Sequence, residues 1–246
     1  MDIKPPYGYQ EVVPLTKEHR VAPRADRRIP PAFRTLNALP LSFTEFTVAC
    51  RDYPIAFVGP NPNSVIAMAV LGLENRQNLF VTAGDEWEPS VYLPAYVRRH
   101  PFCMTRVTVD GKERPERVAC VEKSALSDSG EPMFDAKGEP LPAWDARRKL
   151  LFEFEADLAR SEEMCRELGR HELLETFTLQ AVPNEGLPLA MTGMYRVSEQ
   201  KLAERAPDDL KSLLQKGVLA RVYAHLISLA NFGRLLDRRA GKTQRP

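Results

Sequence analysis

The stretch IAFVGPNPNSVIAMAVL, residues 55–71, decides the fold class. It contains two apolar runs, residues 55–58 and 65–71, on either side of a Gly-Pro-Asn-Pro-Asn turn. Short apolar runs that are rich in β-favouring residues and joined by turn-forming residues are typical of a β-hairpin. Because neither run carries a charged side chain, the sequence predicts a hairpin that is mostly buried in the core of the protein.

Five further segments predict strands, since each combines β-favouring residues with a neighbouring turn sequence. They are residues 78–82, 102–109, 116–122, 173–182 and 187–197. Asp110-Gly111 lies between the second and third segments and predicts a hairpin with a loop longer than two residues. The sequence Pro-Asn-Glu-Gly lies between the fourth and fifth segments and predicts another antiparallel hairpin.

A first helix, a middle helix and a C-terminal helix are among the helices that the sequence predicts. Ser42 and Glu45 have the spacing of a capping box, which predicts a first helix that begins at Ser42 and ends at Pro54. Apolar residues at helical spacing predict an amphipathic middle helix over residues 145–170 and a C-terminal helix over residues 218–236. The predicted fold class is therefore α+β: a mainly antiparallel sheet built from hairpins, packed with the amphipathic middle helix and the C-terminal helix.

Local composition predicts the domain organisation. Residues 1–40 contain seven prolines and seven Lys or Arg residues, which predicts an extended proline-rich basic arm that lies over the domain. Residues 41–238 predict a single α+β domain, because the 246-residue chain fits one continuous core. Within this domain, residues 124–142 are rich in Ser, Asp, Gly and Pro and predict a surface loop, while residues 239–246 predict a basic tail.

The overall composition is that of a globular protein. Hydrophobic residues make up 43% of the chain and charged residues 27%, and the net charge of +1 predicts no specific nucleic-acid partner. The longest uncharged run, residues 53–73, is interrupted by turn residues and predicts no integral membrane segment. The first ten residues lack the apolar segment of a signal peptide, which predicts a cytoplasmic protein, with unconventional export to the cell surface as the alternative.

Metal and cofactor chemistry is not indicated by any motif. The four cysteines lack a C-x-x-C pair and the four histidines lack a paired spacing, so the sequence predicts no metal site and no cofactor. The cysteines are instead predicted to be buried reduced thiols: Cys50, Cys103, Cys120 and Cys165.

The candidate ligand-binding site is the run YVRRHPF, residues 96–102. Arg98 and Arg99 supply guanidinium groups that can clamp a carboxylate or a phosphate. Tyr96 and His100 add an aromatic ring and an imidazole beside them. These four residues predict binding of an anionic group. The structural alternative is that one arginine pairs with an acidic neighbour, the other is solvated, and His100 only precedes a strand.

Two further residues are candidates for the same site. His225 lies in the predicted C-terminal helix, where a neutral imidazole acts as an acid or a base if a carboxylate orients it. Its alternative role is core packing. Tyr195, next to Arg196, is a candidate ligand contact, and its alternative role is to pin its strand to the core.

Several phrases of the sequence, taken in order, resemble the bacterial SapC family. They are YPIAFVGPNPNSVIAMAVLGLENRQNLFV, VYLPAYVRRHPF, EPMFDAKGEPLP, MTGMYRVSEQKL and VYAHLISLANFGRL, and the resemblance spans roughly residues 30–236. The family is named after a gene in a surface-layer locus, and some members are labelled transporter components or peptidases. The resemblance supplies no catalytic residue or cofactor, and the sequence contains neither H-E-x-x-H nor G-x-S-x-G.

These observations lead to one functional prediction and two alternatives. The chain is predicted to be a noncatalytic binding or accessory protein of SapC type, linked to a cell-envelope or surface-layer pathway. Its predicted partner is a peptide, a protein or a small anionic ligand, bound on a concave face with Arg98 and Arg99 at the rim. The first alternative is an uncharacterised enzyme, or its partner subunit, that modifies peptides or small molecules and uses His225 or His100. The second is a structural protein that self-associates into homo-oligomers.

Overall fold

The computed structural model describes residues 2–25, 27–109, 112–181 and 189–241, and within these ranges the chain is an α+β protein. Helices account for 37% and strands for 28% of the residues, which confirms the predicted fold class. The strands described form a five-stranded sheet, a four-stranded sheet and a two-stranded ribbon, and all their pairings are antiparallel.

The predicted hairpin of residues 55–71 is confirmed and lies within the five-stranded sheet. In spatial order, the strands of this sheet are β10 (Leu174–Ala181), β11 (Leu189–Val197), β5 (Ile55–Asn61), β6 (Ser64–Val70) and β4 (Ala38–Pro40). The turn of the hairpin is tight, because the Asn63 N–H donates to Asn61 Oδ1 at 3.0 Å. A Cβ atom at Gly59 would lie 1.9 Å from the Ser64 carbonyl oxygen, so the close approach of the two strands requires glycine there.

The four-stranded sheet separates two hydrophobic clusters. In spatial order, its strands are β1 (Asp2–Ile3), β7 (Phe102–Val109), β8 (Lys112–Glu122) and β2 (Val12–Pro14). The β7–β8 hairpin confirms the hairpin predicted from Asp110-Gly111, but the longer loop was wrong, because β8 begins at Lys112, which pairs with Val109. Phe102 and Val121 belong to the smaller cluster, whereas Cys103 and Cys120 belong to the main core. Neighbouring residues of one strand thus face opposite sides of the sheet, as the pleat requires.

The two-stranded ribbon lies partly within residues 124–142, the predicted surface loop. It pairs β3 (Arg20–Val21) with β9 (Glu131–Pro132). Met133, which follows β9, is fully buried in the smaller cluster. The turn predicted at residues 183–186, Asp110-Gly111 itself and most of the predicted basic tail lie outside the described residues.

The proline-rich N-terminal segment pairs with both sheets. β1 and β2 pair with the two strands of the β7–β8 hairpin, and β4 pairs with β6. Phe33 and Leu39 from this segment are fully buried in the main core. Residues 1–40, predicted as an extended arm, therefore contribute strands and core side chains in the part that the structure describes.

The helices pack on one another and on the sheets. They are α1 (Phe46–Ala49), α2 (Ala95–Arg98), α3 (Pro142–Arg170), α4 (Glu199–Ala203), α5 (Pro207–Gln215), α6 (Val218–Ser228) and α7 (Asn231–Arg239). α3 confirms the predicted middle helix and begins earlier than predicted, with Pro142 in its first turn. Among the helices in the described ranges, none combines the length and the hydropathy that crossing a bilayer requires.

The strand predicted at residues 78–82 was wrong. Only Val81 forms a bridge, with Trp87, and no strand of the described chain includes these residues. The reason is local: the Asn78 side-chain oxygen accepts the Phe80 N–H at 3.0 Å and turns the chain there.

The single C-terminal helix predicted over residues 218–236 is divided into α6 and α7. In an uninterrupted helix, the Leu229 N–H would donate to the carbonyl of His225. That carbonyl instead accepts the Ser228 hydroxyl at 2.5 Å, and the Leu229 N–H donates to Leu226 O at 3.3 Å. The buried hydroxyl thus tightens the helix at the junction of α6 and α7.

Candidate functional site

A groove with a volume of about 640 Å³ lies between α2, α3 and the 3-10 turn Phe43–Glu45. Val48, Leu150 and Phe154 contribute apolar side chains to its lining. The charged residues that line it are Glu45, Arg98, Glu153, Asp157 and Arg160. An apolar surface with a few charged groups around it is the usual composition of a ligand-binding cleft.

Glu45 links the two sides of the groove next to α2. It occupies the third position of the predicted capping box, which is confirmed, and it is only 4% exposed. Its Oε2 accepts the N–H and the hydroxyl of Ser42 at 3.1 and 2.7 Å. Its Oε1 accepts the Tyr92 hydroxyl at 3.0 Å and the Ala95 N–H at 2.7 Å. With four donors engaged, the carboxylate holds the groove together and presents little free charge to a ligand.

Arg98 supplies an accessible cation of the groove. Its Nη2 donates to the Tyr92 hydroxyl at 3.2 Å and its Nε donates to Leu93 O at 3.2 Å. Burial, reinforced by the Glu45 carboxylate, raises the pKa of Tyr92 to about 12, so this hydroxyl stays protonated at neutral pH. The Arg98 side chain is exposed and lines the groove, where its guanidinium is open to a carboxylate of a ligand.

Asp157 and Arg160 form the opposite wall of the groove. Asp157 accepts the Thr44 N–H at 2.9 Å, accepts the hydroxyl of the same threonine, and accepts Arg160 Nη1 at 3.0 Å. The guanidinium groups of Arg160 and Arg221 lie 4.3 and 4.0 Å from the centroid of the Phe43 ring. These contacts fix Arg160 in one orientation at the edge of the groove.

Arg99 lies inside the protein and does not line the groove. Its side chain is 3% exposed, and Nη1 lies 3.2 Å from Glu155 Oε1. The guanidinium lies 4.2, 4.8 and 5.6 Å from the ring centroids of Tyr96, Phe154 and Tyr9, respectively. Arg99 is therefore surrounded by three aromatic rings and paired with one carboxylate. This arrangement is the alternative stated above, in which one of the two arginines pairs with an acidic neighbour.

The Arg99→Met substitution is expected to lower the free energy of unfolding by about 3 kcal/mol, because it leaves Glu155, whose side chain is only 13% exposed, without one of its cations. Arg117 also binds Glu155, which keeps the loss at the lower end of the range for a broken buried pair. Urea unfolding monitored by circular dichroism measures the change. Arg148→Met, at an exposed position of α3, is the matched control and should change stability by less than about 0.5 kcal/mol. Equal stability of the two variants would contradict this role.

Tyr96 and His100 are also packed in the interior. The Tyr96 hydroxyl donates to Tyr7 O at 2.6 Å, and its side chain is buried. The His100 ring lies 5.2 Å from the ring of Tyr9 and 5.4 Å from that of Phe33. Burial, together with two nearby guanidinium groups, lowers the pKa of His100 to about 3, so the imidazole is neutral at physiological pH.

His225 connects β5 to β11. It is fully buried; its Nδ1 lies 2.8 Å from Ile55 O and its Nε2 accepts the Val197 N–H at 3.1 Å. This pair of partners requires the neutral tautomer with the proton on Nδ1. Burial lowers the pKa of His225 to about 4, with a partial opposing effect of the bond to Ile55 O. The imidazole therefore provides hydrogen-bond partners for two main-chain groups of the sheet.

Tyr195 belongs to the same sheet. It lies on β11 directly opposite Phe57 of β5, is half-buried, and packs against the main core. Of the six predicted site residues, the structure places Arg98 in the lining of the groove. It places Tyr96 and Arg99 in the interior beside α2, and half-buried His100 against the rings of Tyr9 and Phe33. Tyr195 and His225 lie in and against the five-stranded sheet.

Glu45, Asp157 and Arg160 are among the groove residues that were not predicted as site residues. The capping box was a signal for Glu45, and the i, i+3 spacing of opposite charges on α3 was a signal for the other two. Such pairs are common on solvated helix faces, so spacing alone does not identify a groove. Within the described ranges, no three His, Cys, Asp or Glu side chains are arranged as ligands of a metal ion.

One protein-family model matches nearly the whole chain. The model of the SapC family matches residues 16–235 of the 246 residues. The chain belongs to the SapC family. This match confirms the resemblance seen in the sequence, and it contains all the residues that line the groove. No curated protein and no solved structure matches this SapC-family chain.

Proposed function

We propose that this SapC-family protein is a noncatalytic binding or accessory protein whose groove receives a peptide segment of a partner protein. The observation that carries the proposal is the exposed guanidinium of Arg98 beside the apolar side chains of Leu150 and Phe154. Apolar contacts would supply most of the affinity, and the arginine would fix the orientation of the peptide by binding a carboxylate.

The balance of charge favours a peptide over a small polyanion. Two arginines and three acidic residues line the groove, so its formal charge is −1. A polyanion would be repelled by these acids, even though Glu45 is engaged by four donors. A peptide, in contrast, carries polar groups of both kinds and can place a carboxylate at Arg98 and a donor near the exposed Glu153.

The enzyme alternative relied on His225 or His100 as an acid or a base. Both nitrogens of His225 bind main-chain groups, and the low pKa values of the two histidines keep both rings neutral at physiological pH. A general base works best with a pKa near the working pH and within reach of the proton it takes up. These features favour the binding role. The accessory role in a cell-envelope or surface-layer pathway belongs to the same proposal and is suggested by the origin of the family name.

Peptide selection tests the groove directly. A random-peptide phage library is selected on the immobilised full-length protein, and enriched peptides are synthesised and measured by fluorescence anisotropy. Arg98→Glu reverses the accessible charge, and Ala156→Arg places a long side chain in the groove at an exposed position. Each variant is expected to weaken binding by about tenfold or more, which corresponds to about 1.4 kcal/mol.

Arg166→Glu is the matched control. Arg166 is an exposed arginine of α3 that pairs with Glu163 and is not a lining residue of the groove. Its charge reversal should leave the affinity within about twofold of wild type. Circular dichroism verifies that all variants are folded. The proposal fails if no peptide is enriched, or if enriched peptides bind Arg98→Glu and Ala156→Arg as tightly as wild type.

A further inference from the structure

Two of the four cysteines lie directly opposite each other in the four-stranded sheet. In the antiparallel register of β7 and β8, the Cα partner of Cys103 is Cys120. Residues that are directly opposite each other in an antiparallel pair point to the same face of the sheet. Both side chains are fully buried in the main core, and both thiols are free. The fold therefore brings two thiols together that are 17 positions apart in the sequence.

We infer that Cys103 and Cys120 form a preorganised site for an intrachain disulfide bond across β7 and β8. Directly opposite residues in antiparallel strands have Cα atoms about 4.5 or about 5.5 Å apart, depending on whether the pair is hydrogen-bonded. Disulfide bonds span Cα separations of roughly 4.4 to 6.8 Å. Either class of strand pair therefore has a spacing that a disulfide can bridge.

The other two cysteines lie in different surroundings. Cys50 follows α1 and is half-buried, and its thiol donates to Thr47 O at 3.5 Å. Cys165 lies on α3 and lines a separate cavity of about 130 Å³ next to β6. Neither has a cysteine as its strand partner. The register thus selects one of the six pairings that four cysteines allow.

The reaction requires an oxidant, and a small disulfide such as oxidised glutathione is sufficient. The thiolate of one cysteine attacks the oxidant and forms a mixed disulfide, which releases one glutathione thiol. The second cysteine then attacks the mixed disulfide, which forms the Cys103–Cys120 bond and releases a second glutathione thiol. The protein loses two protons and two electrons in total, and the oxidant takes them up and is reduced to two thiols.

The folded state controls when this reaction occurs. Burial raises the pKa of Cys103 to about 12 and that of Cys120 to about 11, so thiolate is scarce at neutral pH. Because neither side chain is accessible, an oxidant reaches the pair before folding is complete or after local opening. A chain that folds with a disulfide oxidant therefore acquires the bond, whereas a chain that folded reduced keeps its thiols much longer.

A comparison of oxidation during refolding with oxidation after folding tests this inference. Denatured, reduced full-length protein is diluted into native buffer that contains oxidised glutathione, and folded, reduced protein is placed in the same buffer for the same time. Both samples are then alkylated under denaturing conditions and analysed by mass spectrometry. The refolded sample is expected to carry a Cys103–Cys120 link with alkylated Cys50 and Cys165. The folded sample is expected to oxidise at least about tenfold more slowly.

Three controls sharpen the result. Cys103→Ala should prevent the link, whereas Cys50→Ala/Cys165→Ala should form it as wild type does. The oxidised protein should have native circular dichroism and a higher urea midpoint than the same protein after reduction, because the link restricts the unfolded chain. The inference is overturned if refolded wild type keeps both thiols, if the link involves Cys50 or Cys165, if the midpoint falls, or if folded and refolding chains oxidise equally fast.

Discussion

Replacement of His225 by alanine is expected to lower the free energy of unfolding by about 4 kcal/mol, because it removes two kinds of stabilisation at once. The missing imidazole leaves a cavity against Phe57, whose ring centroid lies 4.9 Å from that of His225. It also leaves the Ile55 carbonyl and the Val197 N–H without the partner that each has in the native core. Buried main-chain groups without partners are costly because water cannot reach them.

Urea unfolding at pH 7.5, followed by circular dichroism and by tryptophan fluorescence, measures this loss. Tyr223→Ala is the matched control, since Tyr223 lies on the same helix with 52% of its surface exposed. The control is expected to change stability by less than about 1 kcal/mol. A loss of less than about 1 kcal/mol for His225→Ala would show that the imidazole does not hold β5 to β11.

His225 belongs to a row of buried polar side chains that fixes the C-terminal helices against β5 and the segment before it. The Ser228 hydroxyl accepts the Ile55 N–H at 2.9 Å. Asn231 Nδ2 donates to Cys50 O at 2.7 Å and to Tyr53 O at 3.1 Å. The three residues follow at intervals of three positions: His225 and Ser228 lie on α6, and Asn231 begins α7. Apolar packing would tolerate a shift of the helix along the sheet, whereas these directional bonds specify one register.

The regular elements of the fold were predictable because their signals are local. The hairpins were predicted from apolar runs beside turn sequences, and α3 from apolar residues at helical spacing. The capping box of Ser42 and Glu45 was also predictable, since both partners lie within four residues. The division of the C-terminal helix was not predictable, because it depends on a Ser228 hydroxyl whose partner on β5 is far away in the sequence.

The groove was only partly predictable for the same reason. Arg98 and Arg99 were predicted together from one run of residues, yet they lie on different sides of α2: one is exposed and the other is 5% exposed. A helix of four residues has no periodicity from which to decide which side faces the core. Glu45 acquires its partners Tyr92 and Ala95 only through the tertiary fold.

Acidification from pH 6.5 to 5 is expected to lower the free energy of unfolding by about 3 kcal/mol, because the folded protein keeps two histidines neutral. Burial lowers the pKa of His225 to about 4 and that of His100 to about 3, against 6.5 for an ordinary histidine. Below pH 6.5 the unfolded chain binds a proton at each site and the folded chain does not. Each histidine therefore costs up to about 1.4 kcal/mol per pH unit.

The same pKa values give the direction of this change in the free energy of unfolding and the pH range over which it occurs. The stabilisation is complete above pH 6.5 and decreases with falling pH until the folded protein binds the protons, near pH 4 for His225 and near pH 3 for His100. Burial raises the pKa of Glu155, which acts in the opposite direction. Glu167 has a pKa lowered by its bond to Lys216 and loses stabilisation only as carboxylates begin to protonate. Between pH 6.5 and 5.5, the pH dependence of the free energy of unfolding therefore reports mainly on the two histidines.

Urea unfolding at constant ionic strength, measured at half-unit steps from pH 7.5 to 5, gives the number of protons taken up on unfolding from the slope. The slope should be near zero above pH 7 and should approach two protons near pH 5. His100→Gln should remove about one proton from this slope while His225 still contributes its own. Uptake of fewer than about 0.5 protons by wild type at pH 5.5 would mean that both imidazoles bind protons in the folded state. The Val197 N–H, which donates to His225 Nε2, opposes protonation of that ring.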